Sequence, residues 1–179
     1  TASFGQRSGD ADRPTLYEEG PWFYRRDGVY HMVFAMGPLP EQIGWSSSPE
    51  PLGPWTYRGV IMANQSGHAF TNHAGVIDFL GRSYFFYHTQ ELPGGGGFKR
   101  SVAVEEFTYN ADGSFPTINK TSGGVTESAA PLNPYQRVEG ETIAWGSGIE
   151  VEDCSAGGRD VSNIENNDYI KVESVDFLT

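Results

Sequence analysis

Two stretches of this chain repeat one layout, and that repeat limits its fold more than any other feature. Residues 19–34 run from Glu19 through Trp22-Phe23-Tyr24, turn at Arg25-Arg26-Asp27-Gly28 and return as Val29-Tyr30-His31-Met32-Val33-Phe34. Residues 73–88 run from His73 through Val76-Ile77-Asp78-Phe79, turn at Leu80-Gly81-Arg82 and return as Ser83-Tyr84-Phe85-Phe86-Tyr87-His88. A strand, a tight turn with glycine and an aromatic-rich strand make a β-hairpin. The turn glycines Gly28 and Gly81 lie 53 positions apart, and Tyr30 and Tyr84 lie 54 apart. Strand-like sequence follows each hairpin: residues 43–48 and 55–61 after the first, residues 101–104 and 106–109 after the second. Four strands recurring with a period of about fifty residues match the blades of a β-propeller, although a β-sandwich also supplies hairpins. Two blades cannot close a propeller, so the remaining blades are expected before residue 1.

Composition agrees with an all-β chain: aromatics make up 13% of the 179 residues, with 23 Gly and 11 Pro to punctuate strands. The formal net charge of −11 repels nucleic-acid phosphates and anionic membranes, which excludes both as partners, and it suits neutral polysaccharides. A lone cysteine, Cys154, excludes an intrachain disulfide and a multi-cysteine metal site. No segment has the ~20 consecutive apolar residues that a spanning helix needs. Residues 1–13 are polar, with neither a starting Met nor a signal-peptide apolar stretch, as expected of a chain cut from a longer one. Small and polar residues over 121–131 read as a linker. Residues 1–120 then form the propeller part and residues 132–179 the start of a second unit, with strands expected over 135–139 and 168–172.

Three places carry chemistry. Glycoside hydrolysis needs a carboxylic acid that keeps its proton near neutral pH. Glu19, at the head of the first hairpin and expected to be desolvated by Trp22 and Phe23, meets that need, with Gly20-Pro21 fixing a turn where a sugar could approach the backbone. Glu-Gly-Pro is also common in ordinary loops. His73 holds the equivalent place in the second hairpin, so both side chains should face the propeller axis, where an imidazole binds substrate, helps hold a metal, or is satisfied by the backbone. Arg100, after the Gly94-Gly95-Gly96-Gly97 run, has a guanidinium fork suited to sugar hydroxyls or to a carboxylate. The glycine run lacks the Gly-Lys-Ser/Thr ending of a phosphate loop.

Taken in order, Glu-Gly-Pro-Trp, the stretch Ile-Gly-Trp-Ser-Ser-Ser-Pro-Glu-Pro-Leu-Gly-Pro-Trp over residues 43–55, Asn-His-Ala-Gly-Val-Ile-Asp-Phe, Tyr-His and Lys-Arg-Ser resemble glycoside hydrolase family 43. The resemblance covers about residues 15–120. It implies a five-bladed propeller, inversion of configuration, and arabinofuranosidase or β-xylosidase activity on arabinoxylan, a plant cell-wall polysaccharide, outside the cell. By the same resemblance Glu19 is the general acid, Arg100 belongs to the active centre, and His73 sits at a central channel associated with calcium; Trp22, beside Glu19, is expected to contact substrate together with Arg100. No organic cofactor is implied. The family takes its water-activating Asp, and a further Asp that tunes the acid, from earlier blades. No matching segment exists among these residues, so the chain as written is expected to be catalytically incomplete.

The run Asn-Pro-Tyr-Gln-Arg-Val-Glu-Gly-Glu-Thr-Ile-Ala-Trp over residues 133–145 is similar to the opening of a family 6 carbohydrate-binding module, and residues 164–170 and 175–177 to its next strands. That resemblance implies a structural calcium at Glu139 and Glu141, which otherwise read as two solvated carboxylates. Asn163 stands where many members have an aromatic residue. A non-catalytic sugar-binding propeller protein is the alternative to an enzyme, and a purely structural adhesion role has no positive support.

Overall fold

The computed structural model describes residues 2–125, 131–140 and 145–177. The chain divides into two units, Thr1–Thr126 and Glu127–Thr179. All regular elements among the described residues are strands.

The first unit holds two antiparallel sheets. β1 (Tyr17–Arg26), β2 (Val29–Met36), β3 (Gln42–Ser48) and β4 (Thr56–Met62) form one in that order, and β5 (Gly75–Phe79), β6 (Arg82–Thr89) and β7 (Ser101–Phe107) form the other. Both predicted hairpins are present, closed by the pairs Arg26↔Val29 and Phe79↔Arg82. Each turn has two residues at positive φ, Asp27 and Gly28 in one and Leu80 and Gly81 in the other. That is the primed geometry whose twist matches the flanking strands. The second sheet departs from expectation. Residues 101–104 and 106–109 are not two strands, because no turn-forming residue separates Val104 from Glu106, and β7 runs unbroken from Thr89↔Ser101 to Ser83↔Phe107. The sheet therefore has three strands. A turn at residues 110–113 follows, closed by the Gly113 N–H donating to the Asn110 carbonyl at 2.9 Å.

The core lies between the sheets. Val33, Ile43, Trp45, Ile61 and Met62 from the first pack with Val76, Phe85, Tyr87 and Phe107 from the second, and Phe115 and Ile118 close it from the segment after β7. Full burial of one such side chain is worth about 1.5–3 kcal/mol. Polar bonds stitch the same junction: Trp22 Nε1 donates to the Val76 carbonyl at 2.9 Å, the Tyr24 and Tyr109 hydroxyls meet at 2.8 Å, and Ile118 N–H donates to the Ile61 carbonyl at 2.9 Å. His31 is sandwiched between Tyr24 and Trp45, with ring centroids 5.0 and 5.5 Å away.

The second unit contains β8 (Trp145–Ser147), β9 (Glu150–Asp153), β10 (Arg159–Ser162) and β11 (Tyr169–Lys171), paired as β9 with β10 and β8 with β11. β11 falls within the strand expected over 168–172. The strand expected over 135–139 is absent, because Asn133 starts a turn instead: its side chain accepts the Tyr135 N–H at 2.9 Å and its carbonyl the Gln136 N–H at 3.3 Å.

Candidate active site

Glu19 sits at an irregularity in β1, where the register against β2 shifts on both sides of it. Such bulges re-aim side chains, and here two adjacent carboxylates are sent to different partners. Glu18 is buried against Arg7 and Arg13 of the N-terminal segment. Glu19 is left half-exposed, with Oε1 3.1 Å from Nε2 of His73. Nε2 is within ion-pairing reach of Glu19 but makes no hydrogen bond among the described residues.

Gly20 explains how His73 comes so close. Its φ is +59°, and a β-carbon there would stand 2.6 Å from Cγ of the imidazole. The sequence reading reserved that open backbone for a sugar; it is the histidine that occupies it. A second expectation is also corrected. Neighbouring strand residues point to opposite faces, so Trp22 and Phe23 cannot both wall Glu19. Trp22 bridges to Val76, whereas Phe23 stacks on Tyr30 at 5.7 Å and meets Trp55 at 5.9 Å. At 51% side-chain exposure, Glu19 lacks the desolvation expected from these rings.

His73 is held from behind. Its N–H donates to His88 Nδ1 at 3.3 Å, and the His88 N–H donates to Asn72 Oδ1 at 2.8 Å. Burial, with Arg100 and His73 adding, pushes the His88 imidazole below its ordinary pKa. Asn72 is fully buried, and its N–H donates to Glu41 Oε2 at 2.6 Å. The Glu41 N–H donates to the Phe70 carbonyl at 2.9 Å, so the β2–β3 loop clasps the segment leading into β5 at two points. Glu41 is only 3% exposed. Burial pushes its carboxyl above the ordinary range, and the Glu19 charge pushes the same way; the Asn72 N–H, His73 and Arg100 oppose both.

Sequence reasoning missed Glu41, Asn72 and His88 as a network. The only available signal was the place of Asn72 and His88 at the two ends of the second hairpin; Glu41, in the β2–β3 loop, had none. Arg100, immediately before β7, extends Nη1 to within 3.4 Å of the Thr71 hydroxyl and is near enough to Glu41 and His88 to shift their titration. Glu139, in the second unit, pairs with Arg137 at 3.0 Å, and Glu141 lies outside the described residues.

Among the described residues, one group can converge on a cation: Glu19, Glu41 and His73 each offer an atom within 4.8 Å of the others. Ca²⁺ takes six to eight oxygen ligands. This set offers two carboxylates and a nitrogen, so it fits calcium only with water completing the shell.

Similarity to known proteins is consistent with this arrangement. The family profile "Glycosyl hydrolases family 43" matches residues 3–115. The chain is 33% identical over 186 residues to an arabinoxylan arabinofuranohydrolase of Bacillus subtilis (strain 168), an alignment covering 93% of this chain and 36% of that protein. The crystal structure of a family 43 arabinoxylan arabinofuranohydrolase from Bacillus subtilis, in complex with cellotetraose, superposes with a TM-score of 0.60 at 31% identity, covering 87% of this chain and 36% of the other. A family 43 β-xylosidase/α-arabinofuranosidase from a compost microbial metagenome, with xylotriose and in a calcium-free form, gives 0.52 at 37% identity, covering 57% and 30%. The chain thus spans about a third of the length of these relatives.

Proposed function

Because the chain belongs to glycoside hydrolase family 43, we propose that it carries the acid half of an inverting glycosidase centre acting on arabinofuranosyl or xylosyl linkages of arabinoxylan. Glu19 gives its proton to the leaving oxygen, His73 orients that carboxyl from 3.1 Å, and Arg100 with Trp22 positions the sugar. The observation that carries this reading is the convergence of Glu19 with the His73–His88–Asn72–Glu41 network, which draws on β6, the segment leading into β5 and the β2–β3 loop.

Inversion needs a second carboxylate roughly 6.5–9.5 Å from the acid, with room between them for water. Glu41 cannot serve. It lies within 4.8 Å of Glu19, is buried and is bonded to Asn72. By the family resemblance the water-activating carboxylate comes from earlier blades, a reading supported by the greater length of the relatives. On this reading the 179 residues alone lack the second carboxylate and do not turn substrate over. A calcium ion would be held by His73 and Glu41, since a Glu19 bound to it could not carry a proton; it would supply positive charge at the base of the site. The second unit, by the resemblance of residues 133–145, is the opening of a sugar-binding module of the family 6 type. A polymeric substrate that cannot enter a cell requires the enzyme to be exported.

The test is Glu19→Gln in the protein as its gene encodes it. Release of arabinose or xylose from arabinoxylan is expected to fall about 10²–10⁴-fold, the range for a general acid. Aryl glycosides, whose leaving groups need little protonation, are expected to lose far less. Undiminished release from arabinoxylan would sink the assignment.

A further inference from the structure

The cleft that contains Glu19 and Glu41, about 590 Å³, is also lined by Leu39, Phe70 and Phe98. Phe98 is 81% exposed, a large apolar ring left in water. Its presentation is nonetheless fixed. Gly97 and Phe98 form the tip of a tight turn closed by two reciprocal bonds, Gly96 N–H to the Lys99 carbonyl at 3.1 Å and Lys99 N–H to the Gly96 carbonyl at 3.0 Å. The Thr71 hydroxyl donates to the Gly97 carbonyl at 2.8 Å and ties this tip to the segment that carries Asn72 and His73. Phe98 meets Phe70 edge-on, with centroids 4.9 Å apart and planes at 84°. Gly97 must be glycine, because a β-carbon there would fall 1.7 Å from the Phe70 ring.

We propose that Phe98 is a substrate-contacting residue, a platform for the backbone xylose unit next to the linkage being cleaved; this rests on the glycosidase reading above. The apolar C–H face of a pyranose covers an aromatic ring, returning to the protein the burial energy that an exposed phenylalanine forgoes. A ring already held by a bonded turn loses little freedom when the sugar arrives. Glu19 marks where the bond is cut, and the exposed ring stands where the substrate continues toward solvent. Phe98 therefore governs how strongly affinity grows with the length of the chain bound.

Binding is measured by calorimetry with xylose, xylotriose and xylopentaose, on the protein as its gene encodes it, in a Glu19→Gln background so that bound sugars persist. Affinity is expected to rise with length in this parent. Phe98→Ala and Phe98→Leu should flatten the rise, weakening xylopentaose binding about tenfold, whereas Phe98→Trp restores it. Phe98→Leu keeps an apolar contact on Phe70, so an unchanged melting temperature there separates loss of the flat ring from loss of the fold. Leu52→Ala, at a residue 96% exposed between β3 and β4, serves as a control with no effect. A length dependence that survives Phe98→Ala, or one that Phe98→Trp fails to restore, overturns the platform and leaves the glycosidase reading standing. A parent that binds none of the three sugars overturns the glycosidase reading, and the platform with it.

Discussion

At Gly20 the protein uses a missing side chain as a structural part. The imidazole of His73 fills the space where a β-carbon would be, and the backbone takes a φ of +59° that few other residues accept. Gly20→Ala is therefore expected to cost about 1–3 kcal/mol and to push His73 away from Glu19; urea denaturation measures the first effect and a crystal structure the second. Glu41 makes a different prediction. Burial raises its carboxyl above the ordinary 4.5, so the folded state holds the proton more tightly than the unfolded chain does. The associated stability is fully present below pH 4.5 and is lost as the pH rises through the folded value. The wild type's stability relative to a Glu41→Gln variant should thus fall between pH 4 and 8 in urea titrations; a difference that grows with pH would contradict this. Nothing in the sequence marked Glu41, which follows the Gly-Pro-Leu-Pro run in a loop and meets Asn72 from 31 positions away. Glu19 and His73 were legible because each heads a hairpin, and equivalent positions in a repeat face the same way.

The hairpins themselves were the most legible elements, since alternating apolar residues and a glycine at the turn state both the strands and the reversal. The two turns are not equally comfortable. Asp27 at φ +48° is a residue type that tolerates the left-handed region, whereas Leu80 at φ +49° is not. Leu80→Asn is expected to raise stability by about 0.5–1 kcal/mol, seen as a higher thermal midpoint. An unchanged or lower midpoint would mean that the leucine side chain contributes more than its backbone strain removes. Two expectations failed at this scale for identifiable reasons. The supposed break within residues 101–109 had no turn-former to make it, and the supposed strand over 135–139 was pre-empted by Asn133, whose short amide competes for the backbone N–H groups that a ladder would use.

Across the whole chain, the first unit has a core shared by both sheets, whereas no described residue of the second unit is buried. Amide exchange should separate them: slow exchange in β2, β3 and β6, and exchange within seconds over most of residues 145–177. Comparable protection in both would show the second unit to be better supported than its side-chain exposure implies. A shift in composition pointed to two parts, but composition could not give the core, which depends on how the sheets meet. That meeting also sets a clock. Glu19, in β1, and His73, in the segment leading into β5, are 54 positions apart. At about 5–20 residues per second of synthesis, the carboxylate is made roughly 3–11 s before its histidine partner exists. During that interval it is an ordinary surface acid, and the site appears only when the second sheet is made and docks. Any event that halts translation between the two hairpins yields a product with the acid but without its histidine.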